Sequence, residues 1–335
     1  MADDQPKNGV WRMALVSEQI VVSNMQTVRR RTSPSFDQGF RWASYGSALI
    51  VLAVLAGIIS AMIYGGWPAF REFGFGFLTS SVWDVGRDEY GAWVAISGTL
   101  TSALIALVIG VPISIGIAIF LTQLCPPWLK RPVSTTIELL AAVPSIIYGM
   151  WGLFVFAPLF AKFVQVPLSS LVEGIPILGT VLYARVPSGV GMMTAGIILA
   201  IMIIPFIASI TRDILDQIPT VLRESAYGIG CTTWEVVRYV LLPQAGVSII
   251  GAVMLGLGRA LGETMAVTFV IGNANRLSLS LFDPSSTIAS RIANEFNEAA
   301  GMQLNALLAL GCILFLVTFA VLALARLLIS RVKTH

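Results

Sequence analysis

The sequence predicts an all-α membrane protein with six transmembrane helices. Hydrophobic residues make up 56% of the 335 residues and charged residues only 12%, whereas a soluble domain carries about 25% charged residues. Apolar stretches of about 20 residues, the length that crosses a bilayer as a helix, recur along the whole chain. A soluble fold of this size could not bury so much apolar surface, so lipid is the expected solvent.

The six apolar stretches are separated by polar segments and interrupted by proline. Proline is tolerated in membrane helices where neighbouring helices satisfy the freed backbone groups, so Pro112, Pro144, Pro158 and Pro205 predict bent, packed helices. The predicted spans are roughly 42–64, 96–122, 136–161, 190–211, 245–272 and 305–329.

The distribution of lysine and arginine predicts the orientation. If both termini are cytoplasmic, 14 of the 21 Lys and Arg residues lie inside, six lie outside, and Arg259 lies within a span. Positive residues favour the cytoplasmic side, so we expect cytoplasmic termini. The extension at 1–41 contains "WRMALVSEQIVV" (11–22), which could be an interfacial helix or part of a disordered tail, and residues 331–335 form the other tail.

Several classes of function are disfavoured by what the sequence lacks. The only histidine is His335 and the three cysteines are far apart, so metal sites and histidine-dependent catalysis are not expected. No basic run is interleaved with aromatics, which argues against nucleic-acid binding. No lysine follows glycine, so a P-loop is absent and the chain is not expected to be an enzyme.

Two long segments are predicted on the outer side, at 65–95 and 273–304. The first carries Trp67, Trp83 and Trp93. Long loops are often functional, so these segments could meet an external partner, or they could be connectors packed over the mouth of the bundle.

The predicted cytoplasmic loop at 212–244 has the pattern of two short helices joined by a glycine turn. Gly230 suits a left-handed conformation that ends the first helix. Thr232 and Glu235 form a T-x-x-E capping pattern for the second, and Pro243 marks the entry to the fifth span. The loop is either an amphipathic hairpin on the lipid surface or a lever that docks a cytosolic partner.

The fifth span contains two ionisable residues, Arg259 and Glu263, near the middle of the membrane. Residues four apart share a helix face, so the two side chains are predicted to meet. They could be a structural ion pair or an anion station on a translocation path, since a guanidinium matches the oxygens of phosphate or sulfate. Gly256, Gly258 and Gly262 would permit a close approach by a neighbouring helix or a ligand.

The cytoplasmic loop resembles the EAA loop of ABC importer permeases. The resemblance implies a type I ABC importer permease-like fold, in which the segment 224–243 is a coupling helix loop in a cleft of a separate ATPase subunit. The matching positions are Glu224, Ser225, Ala226, Gly230, Val240, Leu242 and Pro243. Ser225 departs from the commoner alanine, which is a small-for-small change.

A second resemblance concerns the substrate. The stretches "AAVPSIIYGMWGLFV" (141–155), "GRALGETMAV" (258–267) and "TIASRIANEF" (287–296) are similar to the permeases of phosphate-specific (Pst) ABC importers, and of the PstC type. The likeness implies a substrate path at Arg259, Glu263 and Thr264. It also implies a PstA-type permease partner, a PstB-type ATPase dimer that uses ATP and Mg²⁺, a periplasmic PstS-type phosphate-binding protein, and an inner-membrane location.

The resemblance leaves three alternatives open. A sulfate or molybdate permease also carries R-A-L-G-E, although Thr264 and Met265 favour phosphate. A proton-coupled secondary transporter would use Glu263 as a proton carrier. A non-transporting scaffold would need Arg259 and Glu263 only as an ion pair.

Overall fold

The computed structural model describes residues 34–172 and 174–332. Most of the predicted extension at 1–41, including the stretch 11–22, lies outside the described residues, as do residues 333–335 of the predicted tail.

Helices form nearly all of the regular structure in this range. They are α1 Pro34–Phe73, α2 Gly76–Thr79, α3 Trp93–Ile119, α4 Pro127–Ala141, α5 Ser145–Trp151, α6 Ala157–Phe160, α7 Val166–Val172, α8 Pro176–Leu182, α9 Met192–Asp216, α10 Thr220–Gly228, α11 Thr233–Glu235, α12 Leu242–Gly262, α13 Met265–Val270, α14 Ile288–Glu295 and α15 Met302–Val332. π-Helical turns extend or join them at Phe120–Leu124, Gly152–Phe156, Ala161–Gln165 and Val236–Leu241. One antiparallel hairpin pairs β1 Trp83–Asp84 with β2 Glu89–Tyr90.

Six helical runs in the described range are long and apolar enough to cross a membrane, as predicted. They are Asp37–Phe73, Trp93–Leu124, Ser145–Val172, Met192–Asp216, Thr233–Gly262 and Met302–Leu327.

The bounds of the third and fifth runs differ from the predicted 136–161 and 245–272. The third run begins only at α5, because Pro144 separates α4 from α5. A proline disfavours the helical conformation in the residue that precedes it. In the fifth, helix begins at Thr233, which follows a capping box, and α12 ends at Gly262. The predicted outer end of this span is the separate short helix α13.

Contacts divide the chain into two units, residues 1–60 and 61–335. The described part of the first unit, 34–60, is the beginning of α1. Its large apolar side chains, such as Leu49 and Val51, are exposed, which suits a lipid solvent.

The core of the second unit surrounds α9, the most buried of the six runs. Ile198 and Ile203 on α9 pack with Ala106 of α3 and Leu257 of α12. Pro205 lies inside α9 and Pro112 inside α3, so both helices continue through a proline. This core positions the end of α12, where the predicted substrate residues lie.

The segments 74–92 and 271–301 share a second core, and we call their side of the bundle the outer side. Phe77, Trp83 and Tyr90 pack there with Ile288 of α14 and Leu307 of α15. These segments are therefore packed on each other and on α15, while a role in meeting an external partner stays a prediction.

Candidate translocation and coupling sites

Arg259 lies in the last turn of α12, half-buried in the bundle. Its guanidinium carbon is 5.7 Å from the ring centre of Phe206 on α9. Its Nε is buried and has no hydrogen-bond partner among the described residues. A buried donor without a partner is costly, so this atom is a position where an anionic oxygen would be stabilised.

Glu263 and Thr264 form the break between α12 and α13. Glu263 has extended backbone angles, φ −71° and ψ 125°, and its Oε1 accepts a 3.4 Å hydrogen bond from the Ala266 amide. The Thr264 hydroxyl donates to the Gly262 carbonyl at 3.3 Å. The break thus places a carboxylate and a hydroxyl directly after the turn that carries Arg259.

Arg259 and Glu263 lie about one helical turn apart at the end of α12, with Arg259 in its last turn and Glu263 as its C-cap residue. No ion pair joins them within the described part of the chain, so the expected structural pair is not formed in this conformation. The roles of Arg259, Glu263 and Thr264 in transport stay predictions.

Of the three glycines expected to permit close approach, Gly256 is the one approached closely by a helix within the described part of this chain. A Cβ at Gly256 would lie 2.5 Å from Cδ1 of Ile207 on α9. A Cβ at Gly258 would reach only Leu322, at 4.0 Å, and one at Gly262 would meet nothing within 4 Å. The space beside Gly262 is therefore open, next to Glu263.

A further close approach, between α5 and α13, supports the helix break. A Cβ added to Gly149 would lie 2.9 Å from the Cα of Ala266. The hydroxyl of the neighbouring Tyr148 donates to the Leu140 carbonyl of α4 at 2.9 Å. Gly149 therefore lets α13 pack directly on α5.

We expect Gly149→Ala to destabilise this contact by about 1–3 kcal/mol, because the backbone of Ala266 cannot rotate away as a side chain can. A lower midpoint of thermal unfolding of the purified protein would show it. Gly262→Ala is the matched control, since its methyl group enters open space. Equal midpoints for the two variants would contradict the prediction.

The predicted coupling segment has the expected helix, glycine turn and helix. Gly230 has φ +93°, the left-handed conformation that favours glycine, and its amide donates to the Tyr227 carbonyl. The Thr232 amide donates to Glu235 Oε2 at 2.7 Å, and the Glu235 amide donates to the Thr232 hydroxyl at 3.4 Å. The predicted turn and capping box are both confirmed.

The seven predicted coupling residues divide by exposure. Ala226 is buried and packs with Val236, Val237 and Leu241, while Val240 and Leu242 are partly buried beside them. Glu224, Ser225, Gly230 and Pro243 are exposed. The segment therefore has its own small core and presents Glu224 and Ser225 to a partner or to solvent.

The second helix of the segment is not short, because it continues without interruption into the fifth run. Pro243 falls in the first turn of α12, directly after the π-helical turn Val236–Leu241. The wider hydrogen-bonding pattern of that turn accommodates the missing amide of proline. One helical run, Thr233–Gly262, therefore joins the coupling segment to Arg259.

A buried polar cluster that the sequence pattern does not predict lies on the outer side, centred on Arg291 of α14. The Arg291 side chain is only 3% exposed, although it lies in the polar outer segment 273–304. The guanidinium donates to Asn275 and to the Ser286 hydroxyl, and its Cζ lies 4.6 Å from the Trp83 ring centre. The T-x-x-S pattern from Thr287 to Ser290, which caps α14, was the available signal.

Glu295 holds this cluster together. Its carboxylate lies 3.6 Å from Nη1 of Arg291 and accepts hydrogen bonds from Trp83 Nε1 at 2.9 Å and Gln303 Nε2 at 3.1 Å. Burial lowers the pKa of Arg291 to about 10, although the charge of Glu295 opposes this shift. Arg291 therefore remains charged at neutral pH and needs its counter-ion.

We expect Glu295→Ala to lower the free energy of unfolding by about 1–3 kcal/mol, because the buried Arg291 loses its counter-ion and Trp83 Nε1 loses its acceptor. Thermal unfolding of the purified protein measures the effect. Glu298→Ala removes the same charge from an exposed position of the same segment and should change little. An unchanged midpoint for Glu295→Ala would show that the carboxylate does not stabilise the cluster.

Comparisons with known proteins place this arrangement in a family. The profile of the "Binding-protein-dependent transport system inner membrane component" family matches residues 110–334. The chain is 54% identical over 294 residues to the phosphate transport system permease protein PstC of Pasteurella multocida, covering 88% of this chain and 92% of that one. It is 53% identical over 300 residues to the PstC protein of Mesorhizobium japonicum, covering 89% and 91%.

More distant likenesses agree. The PstC 2 protein of Mycobacterium tuberculosis is 38% identical over 323 residues, which cover 93% of this chain and 97% of that one. A chain in the crystal structure of a bacterial alginate ABC transporter, in complex with its alginate-bound periplasmic protein, superposes with a TM-score of 0.55 at 16% identity. It covers 88% of this chain and 96% of that chain, and it supports the fold alone.

The fold and the family profile define a multi-pass permease of the type I ABC importer fold, a non-catalytic membrane component. The chain belongs to the binding-protein-dependent transport system inner membrane components and, within them, to the PstC permeases.

Proposed function

We propose that this chain is the transmembrane permease subunit of an ATP-driven, binding-protein-dependent importer of inorganic phosphate, and that it forms half of the translocation path. The observation that supports this most is the unpartnered, buried Nε of Arg259 at a helix break, in a chain 54% identical to a phosphate transport permease. Sulfate and molybdate permeation, secondary transport and a scaffold role are the rival functions.

Arg259 is the proposed anion station. A guanidinium presents a planar fork of donors that matches two oxygens of a phosphate. Glu263 does not neutralise it in this conformation, so its positive charge is available to an incoming anion. The Thr264 hydroxyl at the break would supply a further donor once it leaves the Gly262 carbonyl.

Glu224 to Pro243 is the proposed coupling segment. Exposed Glu224 and Ser225 would enter a cleft of an ATPase subunit, and the buried Ala226 would hold their helix on the segment's own core. Closure of the ATPases on ATP would move this segment. The helical run Thr233–Gly262 would carry the movement to Arg259.

The remaining components are separate chains in this proposal. They are a PstA-type permease that completes the path, a PstB-type ATPase dimer that binds ATP and Mg²⁺, and a periplasmic PstS-type protein that delivers phosphate to the outer side. Both termini would be cytoplasmic, as the positive-residue bias indicates. The membrane would be the bacterial inner membrane, in keeping with the description of the family.

Uptake into proteoliposomes tests this function. The chain would be co-purified with its ATPase and permease partners and supplied with the binding protein, labelled phosphate and internal ATP. We expect uptake that requires ATP, resists a protonophore and is not displaced by excess sulfate or molybdate. Uptake without ATPase subunits that collapses with the proton gradient would indicate a secondary transporter, and an absence of uptake by the complete assembly would indicate a scaffold.

A further inference from the structure

A polar groove lies between α4 and the end of α9, away from Arg259. Its volume is about 430 Å³, and it is lined by Lys130, Arg131, Ser134, Thr135, Arg212 and Asp216 among others. It adjoins the coupling segment, because Asp216 ends α9 and α10 begins at Thr220. In the proposed orientation this is the cytoplasmic side.

Two of the three cations in the groove are already paired. Lys130 Nζ lies 3.1 Å from both carboxylate oxygens of Asp216. Arg212 Nη2 lies 2.9 Å from Glu138 and 2.6 Å from Asp213. These pairs fix α4 against the end of α9, and among the described residues they leave Arg131 as the groove cation without a salt-bridge partner.

The unmatched donors lie together on one face of α4. Arg131, Ser134 and Thr135 occupy positions i, i+3 and i+4, which are neighbours on a helix surface. Within residues 34–172 and 174–332, no hydrogen bond or ion pair engages the Arg131 guanidinium or the Ser134 and Thr135 hydroxyls. A guanidinium with two free hydroxyls is a donor set that suits a tetrahedral oxyanion.

The charge around the groove is balanced overall. Three cations and two carboxylates line it, and Glu138, which pairs with Arg212, supplies a third negative charge. The attraction for an anion therefore comes from the unpaired Arg131 and its neighbouring hydroxyls. Trp128, beside the groove on α4, is 76% exposed, as is typical of tryptophan at a membrane interface. Basic pockets at that level bind lipid headgroups.

From these observations we infer that Arg131, Ser134 and Thr135 form a second anion site, which binds a phosphate group carried by an anionic membrane lipid or present as free inorganic phosphate. The site is independent of Arg259. A ligand there would also lie against Lys130, which holds the last residue of α9, and so would act next to the coupling segment.

The full-length chain in phosphatidylcholine nanodiscs separates the two sources. In one arm, native mass spectrometry measures retention of added phosphatidylglycerol. In the other, binding of labelled inorganic phosphate is measured in an Arg259→Gln background, so that the proposed translocation site does not contribute. Neither arm depends on transport, so failure here is distinguishable from failure of the proposed function.

We expect binding in one arm, weakened roughly tenfold or more by Arg131→Gln and less by the double variant Ser134→Ala/Thr135→Ala. Arg276→Gln is the matched control: it removes an exposed arginine outside the groove and should leave binding unchanged. If neither phosphatidylglycerol nor phosphate binds, or if binding is insensitive to Arg131→Gln, the proposal is overturned.

Discussion

Arg259→Gln is expected to reduce ATP-driven phosphate uptake by roughly 10- to 100-fold, the effect of losing a charge-assisted contact with the anion. Glutamine keeps a polar side chain, although a shorter one, and loses both the charge and the fork of donors. Arg259→Lys keeps the charge without the fork, so its uptake should lie between those of the wild type and Arg259→Gln. Initial rates in proteoliposomes, with the binding protein saturated with phosphate, measure the loss.

The control for this prediction must separate lost binding from lost assembly. Arg276→Gln makes the same chemical change in the outer segment, at an exposed position, and should leave uptake intact. Recovery of the ATPase subunits with the Arg259→Gln chain should also be normal, because Arg259 has no ion-pair partner among the described residues whose loss would unfold α12. Full uptake by the Arg259→Gln variant would show that Arg259 is not part of the translocation path.

Gly230→Pro is expected to leave the chain inserted and assembled but to uncouple ATP hydrolysis from transport. Proline fixes φ near −65°, whereas Gly230 has φ +93°, and it removes the amide that donates to the Tyr227 carbonyl. The turn between α10 and α11 would have to rearrange, which displaces Glu224 relative to Thr233. The ratio of phosphate transported to ATP hydrolysed, in the reconstituted complex, measures the coupling.

Gly230→Ala gives a graded version of the same test. A left-handed alanine costs about 1–2 kcal/mol, so uptake should fall roughly 5- to 30-fold if the native turn is required. Gly228→Ala is the matched control: it lies two residues away at the end of α10, and its φ is not positive. A Cβ added at either glycine would meet no atom within 4 Å, so the two positions differ only in backbone conformation. An equal ratio of phosphate transported to ATP hydrolysed in both alanine variants would refute the role of the coupling segment as a lever.

The features that sequence predicted well are those fixed by local chemistry. Six apolar runs follow from the length needed to cross a bilayer. The turn at Gly230 and the capping box at Thr232 follow from residue types that have few alternatives. Family resemblance added the PstC assignment, which the relatives confirm.

The features that sequence missed depend on tertiary packing. The helix break after Gly262 interrupts an apolar pattern that has no proline, and it is accompanied by the contact between Gly149 and Ala266, 117 positions apart in the chain. The pairing of Arg259 with Glu263 was therefore expected from spacing and is absent. The burial of Arg291 likewise required Trp83, which lies far from it in the sequence, although its counter-ion Glu295 is only four residues away. Local patterns do not report such distant contacts.

The uninterrupted run from Thr233 to Gly262 has a mechanical consequence. At 1.5 Å per residue, the 26 steps from Thr233 to Arg259 span roughly 39 Å. If the run moves as a rigid rod, a tilt of about 5° at its coupling end displaces its far end by about 3 Å, which is the length of one hydrogen bond. In the proposed mechanism, such a tilt would suffice to bring Arg259 into contact with an anion or to withdraw it. The amplification comes from the length of the rod, and a flexible joint near Pro243 would abolish it.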